Sequence, residues 1–276
     1  MRVELTDFSV QIAGEKVNFN IAFNAIHGSP GEDGLLQGYF EMMGIPHTSC
    51  SAATASLTFN KAYTKRVLEG TVSMAKGIVL EKNMQDMDEK LSTFLSRVSY
   101  PLFVKPNNNG SSYGISKVHA FTELRKAIEE AFIYDSEVLI EEGIIGVEIT
   151  CGVYTYQQQI HVLPLCLVSV SNHDFFNYTA KYTSGESDEI IPAPVDETVA
   201  EAVRSVSSRV YAQLHCKGVV RMDYIIRDAV PYFLEVNTVP GISSASIVPK
   251  MAQVAGMSLT EFFGRLLEEA WNGKGH

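Results

Sequence analysis

Hydrophobic and polar positions change period several times along the chain. Val17, Phe19, Ile21, Phe23 and Ala25 alternate with polar or small residues and run into apolar Ile26, which predicts a strand ending at His27. Helical spacing appears in three places. Leu124, Ala127, Ile128, Ala131 and Phe132 share one face behind Thr122, which is read as an N-cap. Val199, Ala202, Val203, Val206, Val210 and Leu214 form a second stripe over Thr198 to Leu214. Leu259, Phe262, Phe263, Leu266 and Leu267 form a third behind the capping box Ser258 to Glu261. Between these lie β-type runs: Gly77 to Leu80, Pro101 to Lys105, Glu137 to Glu142, Glu148 to Tyr154 and Ile160 to Val170. A charged helical stretch, Asp86 to Arg97, separates the first two, and a second domain begins near it.

The most informative pattern is Val219 to Ser246. The runs VVRMDYII and YFLEVN flank Asp228-Ala229-Val230-Pro231, so a short antiparallel hairpin is expected. Alternation puts Arg221 and Asp223 on one face, with Glu235 and Asn237 on the same face of the partner strand. A turn centred on Ala229 sets Asp223 opposite Glu235 and Arg221 opposite Asn237. Like charges directly opposed are destabilising unless something lies between them. Two carboxylates and an amide oxygen suit magnesium, which completes its octahedron with waters and phosphate oxygens. A solvated polar face is the plainer alternative.

Composition narrows the class. The 276 residues are 46% hydrophobic and 20% charged, as in a globular protein of two or three compact units. A net charge of −10 argues against a nucleic-acid or membrane partner. Cys50, Cys151, Cys166 and Cys216 are scattered without a paired spacing, which fits a reducing cytoplasm better than a zinc site or a disulfide framework. Residues 1–20 lack the pattern of a signal peptide.

Candidate chemistry follows the strand ends. His27 opens the glycine-rich turn His27 to Gly34, at the end of a strand where ligands gather in open α/β sheets. Pro101 to Val118 reads as a strand ending in Lys105-Pro106, a loop of asparagine, glycine and serine, and a second strand from Ile115. Backbone amides there, with the Ser111 and Ser112 hydroxyls, suit an anion; a hairpin loop of ordinary turn residues is the plainer alternative. Lys61 and Lys65 lie on one side of a helix and by themselves read as a solvated face. Glu141 and Glu148 flank Gly143 to Val147, where a carboxylate and backbone suit a ribose or an exocyclic amine; from spacing alone, solvation accounts for both. The aromatic loop His173 to Gly185 reads either as a substrate lid using Lys181 and Tyr182 or as rings that only pack the loop down. His47 and His215 have no chemical context. After the hairpin, Pro240-Gly241 is a turn whose amide is able to approach a reacting carbonyl beside Arg221.

Taken together, IHGSPGEDGLLQGYFEMMGIPHTS, FVKPNNNGSSYGISKV, VLIEEGIIGVEIT, NYTAKY, GVVRMDYII and LEVNTVPGISSASIVP resemble the D-alanine-D-alanine ligases of the ATP-grasp superfamily in order, spacing and wording. The resemblance implies an α/β chain built of α+β ATP-grasp lobes. Residues 1–50 would be an incomplete N-terminal parallel α/β domain, residues 51–143 a central lobe with the glycine/serine flap, and residues 144–276 a carboxy-terminal lobe with the metal hairpin and lid, the two lobes clamping ATP. Asp223, Glu235 and Asn237 would hold two magnesium ions, for which manganese can substitute. Lys61, Lys105, Gly110, Ser112 and Lys181 would meet phosphate. Glu141, Glu142, Ile144, Glu148 and Phe175 would line the adenosine pocket, with Glu142 standing where many relatives carry lysine. His27, Ser246 and Ile247 would contact the amino acids, while Arg221, Ser111, Tyr182 and Gly241 would act in catalysis, Ser111 and Tyr182 by linking flap and lid to the substrates.

The reaction implied is ATP-dependent joining of two D-alanines through an acyl phosphate, for peptidoglycan synthesis, by a cytoplasmic homodimer. Tyr182 goes with dipeptide rather than depsipeptide formation in this family. Family members also begin with a strand and glycine-rich loop whose glutamate meets the first D-alanine's ammonium, and this chain starts downstream of it. Another ATP-grasp carboxylate-amine or D-alanine-D-lactate ligase, or a nucleotide-binding form without full activity, is the alternative.

Overall fold

The computed structural model describes residues 3–108, 113–170 and 187–273. Its strands form three sheets. The first is an antiparallel meander of β1 (Val3–Glu4), β2 (Ser9–Ile12) and β3 (Glu15–Asn18). The predicted strand from Val17 to Ala25 is therefore corrected: β3 stops at Asn18, and beyond it only Ala22 makes a bridge, parallel to His47. Side chains intercept the rest of the backbone. The Asn24 N–H donates to Thr48 Oγ1 at 3.1 Å and the Ile26 N–H to Asn24 Oδ1 at 3.1 Å, leaving no ladder to extend. Helix α1 (Leu35–Met42) crosses between Ala22 and His47, so the parallel arrangement expected for residues 1–50 amounts to this one bridge.

Helices α2 (Ala52–Phe59) and α3 (Lys61–Val67) follow, N-capped by the Ser51 and Asn60 side chains. Strand β4 (Ser73–Met74) then pairs with a strand from the far end of the chain before the second sheet begins. That sheet comprises β5 (Gly77–Glu81), β6 (Leu102–Pro106), β7 (Ser116–Val118) and β8 (Glu137–Glu142) in the order β5-β8-β6-β7. Helices α4 (Met87–Leu95) and α5 (Phe121–Ala131) cover one face, where Leu91, Phe94, Leu124 and Ile128 pack on Leu80, Leu102, Val104, Val138 and Ile140. Strand alternation then turns Phe103, Lys105, Leu139 and Glu141 to the opposite face. Thr122 is not the cap expected for α5. The helix starts one residue earlier, at Phe121, and Glu123 Oε2 accepts from the His119 N–H at 2.8 Å in place of a capping hydroxyl.

The third sheet runs β12-β11-β9-β13-β14-β4, with β10 added beside β9. Its strands are β9 (Val147–Tyr156), β10 (Gln159–Val162), β11 (Cys166–Val170), β12 (Ser187–Ile190), β13 (Val219–Arg227) and β14 (Val230–Asn237). On one face lies α6 (Glu197–Gln213), whose Val203, Val206, Val210 and Tyr211 pack on Cys151, Val153, Val220, Met222 and Tyr224. Burying each such aliphatic side chain contributes about 1.5–3 kcal/mol, so this stripe alone is enough to fix the helix. On the other face, α7 (Ile247–Val254) and α8 (Leu259–Asn272) cover Tyr154, Val168 and Val219 through Met251, Phe262 and Leu266. The remainder of that face carries Glu148, Thr150, Arg221, Asp223, Glu235 and Asn237. It looks toward the lysine face of the second sheet.

The amino-terminal segment is pinned where the chain enters β13. Gly218 has φ +63°, and a Cβ there would lie 1.8 Å from the Thr48 carbonyl oxygen. Backbone cannot give way as a flexible side chain can, so Gly218→Ala is expected to lower the unfolding free energy by roughly 2–4 kcal/mol, measured by urea denaturation.

Candidate active site

The hairpin β13–β14 forms one wall of the cleft. Asp228 and Ala229, with φ 52° and 61°, make a two-residue turn that pairs Arg227 with Val230. This turn sits earlier than one centred on Ala229, and by itself it would put Leu234 opposite Asp223. A bulge between Asp223 and Tyr224 absorbs the difference: Tyr224 pairs with Phe233, Asp223 with Glu235 and Arg221 with Asn237. The expected carboxylate register holds, through a different turn and one surplus residue. Because of that residue, Leu234 and Glu235 are consecutive yet line the same cleft.

Asp223 is buried, so the solvated-face alternative fails for it. Its carboxylate takes the Arg221 guanidinium through Nε to Oδ1 at 3.0 Å and Nη2 to Oδ2 at 2.9 Å. Thr150 Oγ1 donates to Oδ1 at 2.7 Å, and Asn237 Nδ2 to Oδ2 at 3.3 Å. Burial works against the Arg221 charge, but Asp223, with weaker help from Glu235 and Glu32, raises its pKa above the ordinary arginine value. Glu235, 30% exposed, has Lys61 Nζ at 3.9 Å. Two opposed carboxylates and an amide on one face are hard oxygen donors that fit a divalent cation. Among the described residues no cluster of three or more His, Cys, Asp or Glu offers a competing metal site.

Three lysines converge on the same cleft. Lys61 and Lys65 stand one turn apart on α3, and at 10% and 16% side-chain exposure they are not the solvated face their spacing suggested. Packing of α3 between the two sheets buries that side. Glu141 is likewise only 5% exposed, against the solvation expected for it, because β8 is an inner strand of its sheet. Its Oε1 pairs with Lys65 and its Oε2 with Lys105. Burial pushes the Lys65 ammonium down to about 8 and the Lys105 ammonium down to about 7, the latter with the like charges of Lys65 and Lys61 adding to burial. The cleft is lined by Lys61, Lys105, Glu141, Glu142, Ile144, Glu148, Asp223 and Glu235, all singled out from sequence, together with Ala75, Phe103, Ile115, Ile225 and Leu234. Glu142 Oε1 accepts from the Lys76 N–H at 3.0 Å.

A second group of candidates adjoins Arg221. His27 Nδ1 lies 3.0 Å from the Val239 carbonyl oxygen and 3.1 Å from Glu32 Oε2. Both partners are acceptors, so Nδ1 must carry the proton. Glu32 raises the His27 pKa, against a smaller opposing effect of burial, and Arg221 lowers it from a distance. Glu32 also accepts from the Gly28 N–H at 3.0 Å and from the Val239 N–H at 3.2 Å. It was missed from sequence, although an acid within a glycine-rich turn beside a candidate histidine was a usable signal. A Cβ at Gly241 would come 2.8 Å from Ser246 Oγ, so a side chain there would force the Ser246 hydroxyl to move. Ser246 caps α7 without a side-chain bond to it and pairs instead with Ser243 Oγ at 2.9 Å, and Ile247 begins the helix. Gly110, Ser111, Ser112, Phe175, Lys181 and Tyr182 lie outside the described residues.

A cleft between two sheets, with lysines on one wall and opposed carboxylates on the other, suits the phosphates of a nucleotide, as expected of an ATP-grasp ligase. Known proteins agree. The family models described as D-ala D-ala ligase N-terminus and D-ala D-ala ligase C-terminus match residues 4–50 and 71–268. The D-alanine--D-alanine ligase of Flavobacterium johnsoniae is 43% identical over 268 residues, covering 96% of this chain and 81% of that protein, and the one from Phocaeicola vulgatus is 40% identical with the same coverage. The VanG D-Ala:D-Ser ligase from Enterococcus faecalis superposes with a TM-score of 0.84 at 31% identity, over 97% of this chain and 77% of that one. The D-alanine--D-alanine ligase of Bacillus anthracis complexed with ATP superposes at 0.77 with 30% identity, over 92% and 80% of the two chains. The chain belongs to the D-alanine-D-alanine ligase family.

The His27–Glu32 contact carries a pH signature. A histidine whose folded pKa is raised contributes stability that is fully present below its ordinary value near 6.5 and is lost as pH rises through the raised value. Urea denaturation of the parent and of Glu32→Gln should therefore show a stability gap that is larger at acidic pH than at alkaline pH. A gap that widens on going alkaline would contradict the assignment.

Proposed function

We propose that this protein is an ADP-forming ligase that joins two molecules of D-alanine for peptidoglycan synthesis. The observation that carries the reading is the single cleft in which Lys61 and Lys105 face Asp223 and Glu235. Lobes 51–143 and 144–276 would close on ATP between them, with Glu141, Glu142, Ile144, Glu148 and Phe175 around the adenosine. Lys61, Lys105 and Lys181, with Gly110 and Ser112, gather positive charge and amides at the phosphates, where positioning and electrostatics supply most of the rate for phosphoryl transfer. Asp223, Glu235 and Asn237 are the residues that would hold magnesium, which supplies charge to the phosphate oxygens when bound.

The first D-alanine's carboxylate attacks the γ-phosphorus of ATP, the bond to the β-phosphate breaks, ADP leaves, and an acyl phosphate forms. The amine of the second then attacks its carbonyl carbon, and phosphate departs. Arg221, kept protonated and aimed by Asp223, holds the oxyanion together with the Gly241 amide. His27, oriented by Glu32 and the Val239 carbonyl, and Ser246 and Ile247 hold the amino acids. Ser111 and Tyr182 tie flap and lid to them and keep water from the acyl phosphate.

Phosphate release from ATP tests this directly. D-alanine should stimulate it, with D-alanyl-D-alanine as product, whereas L-alanine and D-lactate should not. The structural likeness to a D-Ala:D-Ser ligase makes D-serine the informative second substrate, and a D-alanyl-D-serine product would move the assignment to that activity. ATP binding with no amino-acid-dependent turnover would leave only the nucleotide-binding form. Asp223→Asn, which keeps one oxygen for Arg221, and Glu235→Gln, both of which keep size and remove a carboxylate charge, should each lower kcat roughly 100-fold or more. The alanine variant of Asp223 is a poorer test, since stranding a buried Arg221 costs about 3–5 kcal/mol of stability by itself.

A further inference from the structure

Lys65 lies outside every role assigned above, yet it is among the most constrained lysines in the cleft. Its ammonium donates to the Ala75 carbonyl oxygen at 2.8 Å and pairs with Glu141 Oε1. Lys105 pairs with the other oxygen of the same carboxylate, and among the described residues that is its ion-pair partner. One carboxylate is thus shared by two ammoniums, of which one is also tethered to backbone and, among the described residues, the other is not.

An anion that takes Lys105 in this cleft must take it away from Glu141. A buried carboxylate left without a partner is costly, so the exchange is cheap only if a second cation stays behind. We propose that Lys65 is a positioning residue: it keeps Glu141 held and charge-balanced while Lys105 is released to the phosphates of the bound nucleotide. This rests on the nucleotide reading of the cleft. Without Lys65, Glu141 would compete with ATP for Lys105, and nucleotide binding would weaken although no atom of Lys65 touches the nucleotide.

The test uses the full chain, with ATP affinity measured by calorimetry, steady-state kinetics and thermal unfolding. Lys65→Met should weaken ATP binding on the order of ten-fold, the size of one lost charged hydrogen bond. It should raise the KM for ATP, leave the KM for D-alanine unchanged, and keep kcat near the parent at saturating ATP. Lys65→Arg should restore most of the affinity. Glu141→Gln removes an adenosine-pocket carboxylate in its own right, so the comparison is made within that background: there, with a neutral amide no longer holding Lys105, Lys65→Met should weaken ATP binding much less than it does in the parent. If Lys65→Met fails to fold, Lys65→Gln, which can still donate to the Ala75 carbonyl, takes its place in the same series. Parent-like ATP affinity without the Lys65 ammonium, or a Lys65→Met loss of the same size in the Glu141→Gln background as in the parent, overturns the inference while leaving the nucleotide reading intact. A parent protein that binds no ATP overturns both.

Discussion

Everything in the cleft depends on one surplus residue in a β-strand. Leu234 has no partner on β13, and its insertion turns a register that would oppose Asp223 to a leucine into one that opposes it to Glu235. Two like charges at that separation repel, and the hairpin tolerates them because each is answered from elsewhere: Asp223 by the two-pronged Arg221, Glu235 by Lys61 on α3. On the proposed function, the repulsion that would destabilise an ordinary sheet would become an affinity for a divalent cation.

The opposite wall applies the same logic with the signs reversed. Lys61, Lys65 and Lys105 would repel one another in a dry cleft, and Glu141 sits between two of them. Strand alternation and helix spacing deliver these groups without special geometry. Phe103, Lys105 and Glu141 take the open face because Leu102, Val104, Val138 and Ile140 are claimed by the core beneath α4 and α5. An acidic molecule, at net charge −10, thus keeps a local basic patch for an anionic ligand.

How much of this could be read from residues alone varied with the range of the interaction. The hairpin, the strand ending at Lys105, the strand Glu137 to Glu142 and the helices over Thr198 to Leu214 and Ser258 onward were legible, because period and turn chemistry act within a few residues. The hairpin register came out correctly although its turn and bulge did not, since the two differences cancel. Val17 to Ala25 misled because alternation shows that a segment can be a strand, not that a partner is there to pair with it. Lys65 and Glu141 looked solvated for a related reason: their exposures of only 16% and 5% come from a sheet and a helix distant in sequence, which no local pattern records. Glu32 escaped because its partners, Gly28 and Val239, come from opposite ends of the chain.

That last carboxylate separates the two ends of the cleft mechanically. By gripping the amide of the histidine-glycine loop with one oxygen and that of the segment leading into the Pro-Gly turn with the other, Glu32 makes the walls around the amino acids a single body. Gly218 against Thr48 reinforces the same joint. The end that would take the phosphates is lined by residues of two different sheets. On the proposed function, rocking of one sheet against the other would change the grip on nucleotide while leaving the shape offered to the amino acids constant, which would decouple chiral selection of substrate from the admission of ATP and the departure of ADP.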